Sequence, residues 1–322
     1  MDFSKIQIKF MKYIKIKWGV DIMNNNILLE SGTGELEVIE FIANGNHYVI
    51  NVVKVKEVIE MPKNGLTKLP DPRPEIAGLI LCRDEIITLV DLKYVLSKQV
   101  TKNVGSRVII CEFNKIKVSF NIDDVVGVHR IKWSEIRKPD DLSENSLAVG
   151  NILLNGKVLI MLDFEKIVTD IAPGVGISED RLIEVNYKDR SDTKLVLADD
   201  SGLIRRLLKD TLTKAGFKSL RIFDDGKQAL DYFIKLAEEK GENFNKYAQM
   251  LITDIEMPQM DGLTLTRKIK EDVILKKLPV VIFSSLITAE LKHKGESVGA
   301  NAQLSKPEIN ELVDTIDKLL NL

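Results

Sequence analysis

The sequence predicts two domains of different class: an all-β domain, then an α/β domain built on a doubly wound parallel sheet. Three observations predict this. The chain has 322 residues, about two domains at roughly 150 residues each. Residues 35–170 carry short β-type runs punctuated by Asn-Gly turns. From residue 194 onward, short apolar runs alternate with amphipathic helical patterns. Hydrophobic residues make up 44% and charged residues 29%, with net charge -2 and pI about 6.1. That is an ordinary globular composition with ample core. It argues against nucleic acid as a partner, which calls for a basic domain.

Cys82 and Cys111 lie in apolar surroundings without CxxC spacing and read as reduced core thiols of a cytoplasmic protein. No apolar run is long enough to span a membrane, so no direct membrane insertion is expected. Residues 1–34 form an N-terminal extension. Within it, Lys5, Lys9, Lys12, Lys15 and Lys17 are interleaved with apolar and aromatic residues, Trp18 among them. Lysines interrupt the would-be apolar region, so this is no signal peptide. It reads either as a basic amphipathic segment at a membrane surface or, preferred, as an upstream extension of a chain natively started at Met23.

In the β-rich domain, Leu36 to Ala43 and His47 to Val53 flank Asn44-Gly45-Asn46, a hairpin signal. Glu85 to Leu92, Ser106 to Phe113, Lys117 to Ile122 and Val125 to Ile131 follow. A second hairpin joins Ile152-Leu153-Leu154 to Lys157 to Leu162 through Asn155-Gly156. These strands predict one or two small barrels. Asp91 to Ser97 and Asp163 to Asp170 are the helical candidates. His47 and His129 are far apart in sequence and read as separate sheet histidines. With no phosphate loop and no nucleophile elbow, the natural role is binding, not catalysis.

Val55-Lys56-Glu57-Val58, Leu69-Pro70, Gly78 through Arg83, and Ile87 through Leu92 together resemble the CheW family of chemotaxis coupling proteins, over about 135 residues. The resemblance implies a double five-stranded barrel that binds the cytoplasmic tip of a chemoreceptor and the kinase CheA. Val55, Glu57, Gly78 and Arg83 are the partner-binding candidates. Leu81 and Asp84 depart from the family's Asn and Gly. On its own chemistry, Arg83 is a planar donor fork suited to an interface, or to bracing its loop against Asp84 or Glu85.

Residues 171–193, with Pro173-Gly174, Gly176 and a charged stretch, read as a surface linker whose Leu182 to Val185 can dock on either domain. In residues 194–322, Lys194 to Ala198 is a buried strand and Ser201 to Ala215 an amphipathic helix, with Leu203, Leu207, Leu208 and Leu212 on one face. Strand Leu220 to Phe223, helix Lys227 to Glu239 and strand Met250 to Thr253 follow. Next come a helix after Gly262, strand Pro279 to Phe283, a helix about Thr288 to Val298, strand Ala302 to Leu304 and helix Glu308 to Leu320. Right-handed crossovers fold such a chain into a doubly wound sheet that binds ligands at its carboxyl edge.

At that edge the strands end in Asp199-Asp200, Asp254, Ser284 and Ser305-Lys306-Pro307. Three crowded carboxylates call for a divalent cation, and a small oxygen-only set suits Mg²⁺. A lysine opposite balances an incoming phosphate, and a hydroxyl can donate to it. The chemistry so assembled is attack of the Asp254 carboxylate on a phosphoryl group, giving an acyl phosphate. Asp224, Asp225 and Ser201 read as helix caps.

Leu197 through Ser201, Asp254-Ile255-Glu256-Met257-Pro258, Met260-Asp261-Gly262, Ser284 and Lys306-Pro307 resemble the receiver domains of two-component response regulators. That resemblance implies that Asp254 is the phosphoacceptor and that Asp199, Asp200, Asp254 and the Glu256 main-chain carbonyl hold Mg²⁺. Ser284 is then the switch hydroxyl, and Lys306 contacts the phosphoryl group. Gln303 departs from the aromatic that receivers often place before the lysine. A CheW-like domain followed by a receiver resembles the CheV family of chemotaxis coupling and adaptation proteins. The expectation is an adaptor, not an enzyme, at membrane chemoreceptor arrays, phosphorylated by a CheA-type histidine kinase. The alternative is a constitutive scaffold with a structural or phosphate-sink receiver. A transcription factor lacks its DNA-binding domain here, a methylesterase its Gly-x-Ser-x-Gly elbow, and a haloacid-dehalogenase-type phosphatase the second Asp where Glu256 stands.

Overall fold

A computed structural model describes residues 34–62, 65–100, 105–113, 116–137, 147–172, 185–285, 289–306 and 308–322. The expectations for residues 1–33, Leu182 to Glu184 and Pro307 lie outside the described residues. The chain divides into two units. The first comprises residues 36–131 and 147–172. The second comprises residues 185–322 together with two upstream segments, 34–35 and 132–137.

The first unit is built on two sheets. One has the order β10-β11-β2-β1-β9, with β1 Glu35–Ala43, β2 Asn46–Asn51, β9 Asp124–Lys132, β10 Ala148–Leu154 and β11 Lys157–Leu162. The other has the order β3-β7-β8-β6-β5-β4, with β3 Val55–Glu60, β4 Leu66–Thr67, β5 Ile76–Cys82, β6 Glu85–Val90, β7 Arg107–Phe113 and β8 Ile116–Ile122. The two-residue β4 adds a sixth strand to the expected five. Both Asn-Gly turns fold as type I′ hairpins, with Asn44 and Asn155 at φ 51° and 50° and their glycines at 76°.

The two sheets share one plan. In each, a hairpin packs parallel onto the second strand of another hairpin: β11 on β2, and β6 on β8. In each, an aspartate then caps a short helix. Asp91 accepts from Tyr94 N–H to open α1 Leu92–Ser97, and Asp163 accepts from Lys166 N–H to open α2 Phe164–Ile171. Buried Asn121 secures the first junction, its Oδ1 accepting from Leu92 N–H at 2.8 Å and its Nδ2 donating to Asp91 at 3.1 Å. Phe164 of α2 meets Phe41 of β1 and Phe120 of β8, centroids 6.1 and 4.8 Å away, so one ring joins residues of both sheets.

The α/β domain has the parallel order β13-β12-β14-β15-β16. Its strands are β12 Lys194–Ala198, β13 Ser219–Phe223, β14 Met250–Thr253, β15 Val280–Ser284 and β16 Ala302–Ser305. They alternate with α3 Gly202–Lys214, α4 Gly226–Lys240, α5 Gly262–Glu271, α6 Ala289–Ser297 and α7 Ile309–Leu320. Ser201 and Asp225 are helix caps, as their residue types suggested. Two core layers cover the sheet's faces, one including Leu207, Leu212, Phe217 and Ile316, the other Phe233, Leu265 and Ile269.

Two expectations are corrected. Leu203 lies outside the buried face of α3, at 43% exposure, and Ile204 takes that place. The helix starts at Gly202, and its phase sets Ile204, Leu207, Leu208 and Leu212 inward. The end of the supposed surface linker is also anchored. Arg190 is buried, donating to both Asp317 carboxylate oxygens at 2.7 and 2.6 Å, whereas Val185 packs against the α/β core as the docking expectation had it. Charge made this stretch look solvated, but a bidentate partner on α7 satisfies the guanidinium.

Leu212→Ala is expected to lower stability by about 2–5 kcal/mol, while Leu203→Ala stays within about 0.5 kcal/mol. Urea unfolding of the two variants beside the parent chain checks the helix phase, and equal losses would refute it.

Candidate functional site

The register of four strands builds the site. Ala198 pairs with Thr253, so Asp199 and Asp254 leave adjacent strands side by side, and Asp254 N–H donates to Ala198 O at 2.9 Å. Ser284 pairs with Ser305, which puts Lys306 one residue beyond the last pair, its N–H on Ser284 O at 3.1 Å. Strand β13 forms the far edge, so Asp224 and Asp225 are not part of the cluster.

Lys306 Nζ donates to Asp199 Oδ2 and Asp254 Oδ2, each at 2.7 Å. Asp199, Asp254, Ser284 and Lys306 are all buried, and Asp200 is half-buried. Asp199, Asp200 and Asp254 each offer a carboxylate oxygen within 4.8 Å of the others. Buried like charges at this spacing are strongly unfavourable unless a cation sits among them. The Lys306 ammonium supplies one positive charge to the cluster. The donors are all oxygen, a set that fits a hard divalent cation better than a soft one. Burial drives the Asp199 carboxyl up to about 6, with Asp254 pushing the same way and Lys306 pulling against them.

Further groups surround the site, and of these Arg205 and Gly295 carried no sequence signal. Ile255 N–H donates to Asp254 Oδ1 at 2.6 Å, and Arg205 donates to Asp199 O at 2.8 Å. Gly262 closes the loop, its N–H on Ile255 O at 2.9 Å. A Cβ on Gly262 would fall 1.8 Å from Asp254 O, so only glycine lets helix α5 begin so close to Asp254. Asp261, from the same motif, caps α5 through Thr264 N–H and Oγ1, and burial raises its carboxyl. Gln303, two strand positions before Ser305, donates from Nε2 to Lys292 O at 2.6 Å. A Cβ on Gly295 of α6 would lie 2.3 Å from the Gln303 amide oxygen, so that glycine makes room for it.

Of the partner-binding candidates, Glu57 and Arg83 meet directly. Arg83 Nη2 donates to Glu57 Oε2 at 2.7 Å, and the Arg83 side chain stays 58% exposed. The brace expected from Asp84 or Glu85 is therefore supplied by Glu57. Arg83 and Asp84 both take positive φ (49° and 66°), turning β5 into β6 without the family's glycine. Val55 and Gly78 are buried. A Cβ on Gly78 would fall 2.4 Å from Thr67 O, so close approach of β4 explains that glycine. The histidines read as separate meet through one carboxylate. Buried Glu40 takes His47 Nδ1 on Oε1 and His129 Nε2 on Oε2, both at 2.6 Å. Strands β2, β1 and β9 are neighbours, and that adjacency joins them. A glutamate in the run Val38-Ile39-Glu40-Phe41 was the available clue. Burial raises the Cys82 thiol to about 11 and also raises Cys111, and both are free thiols.

Comparison with known proteins places two family models on the chain: a CheW-like domain over residues 37–172 and a response regulator receiver domain over residues 195–317. The chemotaxis protein CheV3 of Helicobacter pylori is 31% identical over 282 residues, covering 85% of this chain and 88% of that protein. The chemotaxis protein CheV1 of the same species is 24% identical over 299 residues, covering 87% and 91%.

Lys306→Met leaves buried carboxylates without their ammonium, and stability at pH 8 in EDTA is expected to fall by about 3–5 kcal/mol. The folded value of Asp199, about 6, lies above the ordinary value near ~3.9. The stability tied to this group is therefore complete below the ordinary value and is lost as pH rises through about 6. The penalty of Lys306→Met should accordingly shrink toward pH 5. Urea titrations across pH check this, and a pH-independent penalty would contradict it.

Proposed function

The chain belongs to the CheV family of chemotaxis adaptors, a CheW-like coupling domain joined to a receiver, and from that premise we propose a phosphorylation-tuned coupling mechanism. The CheW-like domain joins the cytoplasmic tip of chemoreceptors to a CheA-type histidine kinase. The kinase phosphorylates Asp254, and the modified receiver lowers kinase output as adaptation. The observation that carries this reading is the convergence of Asp199, Asp200 and Asp254 around the Lys306 ammonium, in a chain that also carries a coupling domain.

The oxygen-only donor set supports Mg²⁺ held by Asp199, Asp200, Asp254 and the Glu256 main-chain carbonyl. Bound there, Mg²⁺ would offset the charge on the phosphoryl oxygens. In the transfer, an Asp254 carboxylate oxygen forms a bond to phosphorus as the bond to the donor's imidazole nitrogen breaks, the electron pair leaving with that nitrogen. Lys306 Nζ then donates to the phosphoryl group, and the Ser284 hydroxyl is the switch donor. An acyl phosphate of about -1.5 to -2 then stands where a carboxylate of -1 stood in a buried site, and the ammonium and cation balance it.

On the coupling domain, Val55, Glu57, Gly78 and Arg83 remain the proposed partner region, with Glu57 and Arg83 providing its polar contacts. Exposed apolar pairs beside the hairpin turns support docking. Leu81 and Ile86 are cross-strand partners on β5 and β6, and Leu153 and Val158 on β10 and β11. Among the described residues no helix is long and apolar enough to cross a membrane, which fits recruitment to arrays through receptors. A second reading, a constitutive scaffold, draws support from Gln303, whose hydrogen bond to Lys292 O occupies the place of a rotating aromatic.

Phosphotransfer from CheA in Mg²⁺ should label the wild-type chain, with label lost in Asp254→Asn and in excess EDTA. A reconstituted receptor–CheA assay should show lower kinase activity with wild type than with Asp254→Asn. A wild-type chain that never takes the label would favour the scaffold reading.

A further inference from the structure

The loop following Asp254 is tied to a segment from far upstream. Gln259 N–H donates to Trp133 O at 3.1 Å, and Gln259 Nε2 donates to Ile136 O at 2.7 Å. Trp133 N–H in turn donates to Gly34 O at 2.9 Å. Trp133 and Ile136 are buried, and Trp133–Glu135 form a 3-10 turn closed by Glu135 Oε2 accepting from Lys132 N–H at 2.9 Å. Residues 34–35 and 132–137 belong to the same compact unit as the receiver.

Gln259 is held in a strained state. Its φ is 66°, left-handed backbone for a residue with a side chain. The two hydrogen bonds to the upstream segment offset that strain. At its base the same loop is fixed to the acceptor. Ile255 N–H sits on Asp254 Oδ1, Gly262 N–H sits on Ile255 O, and the missing Cβ of Gly262 leaves no slack beside Asp254 O. Phosphorylation turns the Asp254 carboxylate into an acyl phosphate, a mixed anhydride, and adds bulk and charge beside Ile255, so the loop base must be re-set. The face formed by β16 and α6 is meanwhile pinned by the Gln303 amide on Lys292 O.

We infer that the loop from Ile255 to Met260 is this receiver's output. It is docked on Gly34 and Trp133–Ile136 when Asp254 is unmodified, and it undocks when Asp254 is phosphorylated. The inference rests on Asp254 being the phosphoacceptor and adds the route by which the modification leaves the receiver. Lys132 is also the last residue of β9, so release of the segment reaches the coupling domain through the chain itself. By reciprocity, docking then opposes phosphorylation to the extent that phosphorylation opposes docking.

The test uses the full chain carrying Trp18→Phe, which leaves Trp133 as the sole tryptophan. Acetyl phosphate and Mg²⁺ phosphorylate it, and intact mass gives the extent independently. The expected result is a red-shifted Trp133 emission and severalfold greater quenching by iodide, both absent in Asp254→Asn. Gln259→Asn keeps a residue that tolerates left-handed backbone but is too short to reach Ile136 O. It should show the shifted emission before phosphorylation and gain mass faster than the parent. Hydrogen exchange of a peptide spanning residues 132–137 in the unsubstituted chain reads the same release, as a loss of protection. A full mass gain with unchanged emission and exchange overturns the inference and leaves Asp254 as phosphoacceptor. No mass gain overturns the phosphoacceptor reading, and the inference with it.

Discussion

One buried ammonium holds the α/β domain's carboxyl edge together. Lys306 Nζ bridges Asp199 and Asp254, which would otherwise face each other as buried like charges. That bridge requires β12, β14, β15 and β16 to be in parallel register to the residue, because a shift of one residue turns each side chain to the opposite face. It requires α5 to start without a Cβ at Gly262, so that the Asp254 backbone can lie against the helix. The cap at Asp261 and the bond from Ile255 N–H to Asp254 then hold the loop between them. A cluster maintained by one cation is poised for exchange. On the proposed reading, an arriving phosphoryl group would meet an ammonium that already sits between Asp199 and Asp254.

The coupling domain treats buried polarity in the opposite way. Asn121 is spent on Leu92 N–H and Asp91, and Glu40 is spent on two histidines from neighbouring strands. These groups are satisfied by the fold and lock one arrangement of strands, which is the work buried polar networks do when their members are paired. Two apolar cross-strand pairs, Leu81–Ile86 and Leu153–Val158, face outward beside its hairpin turns. Outward apolar pairs suit docking, and an acidic edge bridged by one ammonium suits charge exchange. The chain joins one of each. The segment Lys132–Ile136, continuous with a strand of the first and docked on the loop of the second, is where the two kinds of construction meet in sequence.

Much of this was legible from residue pattern alone. Asn-Gly between β-type runs specifies a type I′ turn because both positions must take positive φ, and both turns form. Short apolar runs ending in Asp, Asp, Ser and Lys mark strand ends because such residues are poor core. The phase of α3 was misjudged by one residue, since leucines at 203 and 207 fit a helical face as well as 204 and 207 do. Only packing chose between them. Arg190 looked like solvated linker because its partner, Asp317, lies 127 positions away. Glu57 with Arg83, and Glu40 with His129, were hidden for the same reason, whereas Glu40 and His47 lie only 7 positions apart across the first hairpin.

The sequence by itself determined what is set within a few residues: the turns, the helix caps, the alternation that makes a parallel sheet, and which side chains stand at strand ends. Tertiary structure decided which of those side chains share a charge. It alone put Lys306 between two aspartates, gave Arg83 its glutamate and laid Gln259 across Trp133 and Ile136. The reason is physical. Backbone propensity and hydrophobic period act over one turn of helix or one strand, whereas a charge or an amide finds its partner only after distant strands have been brought into register.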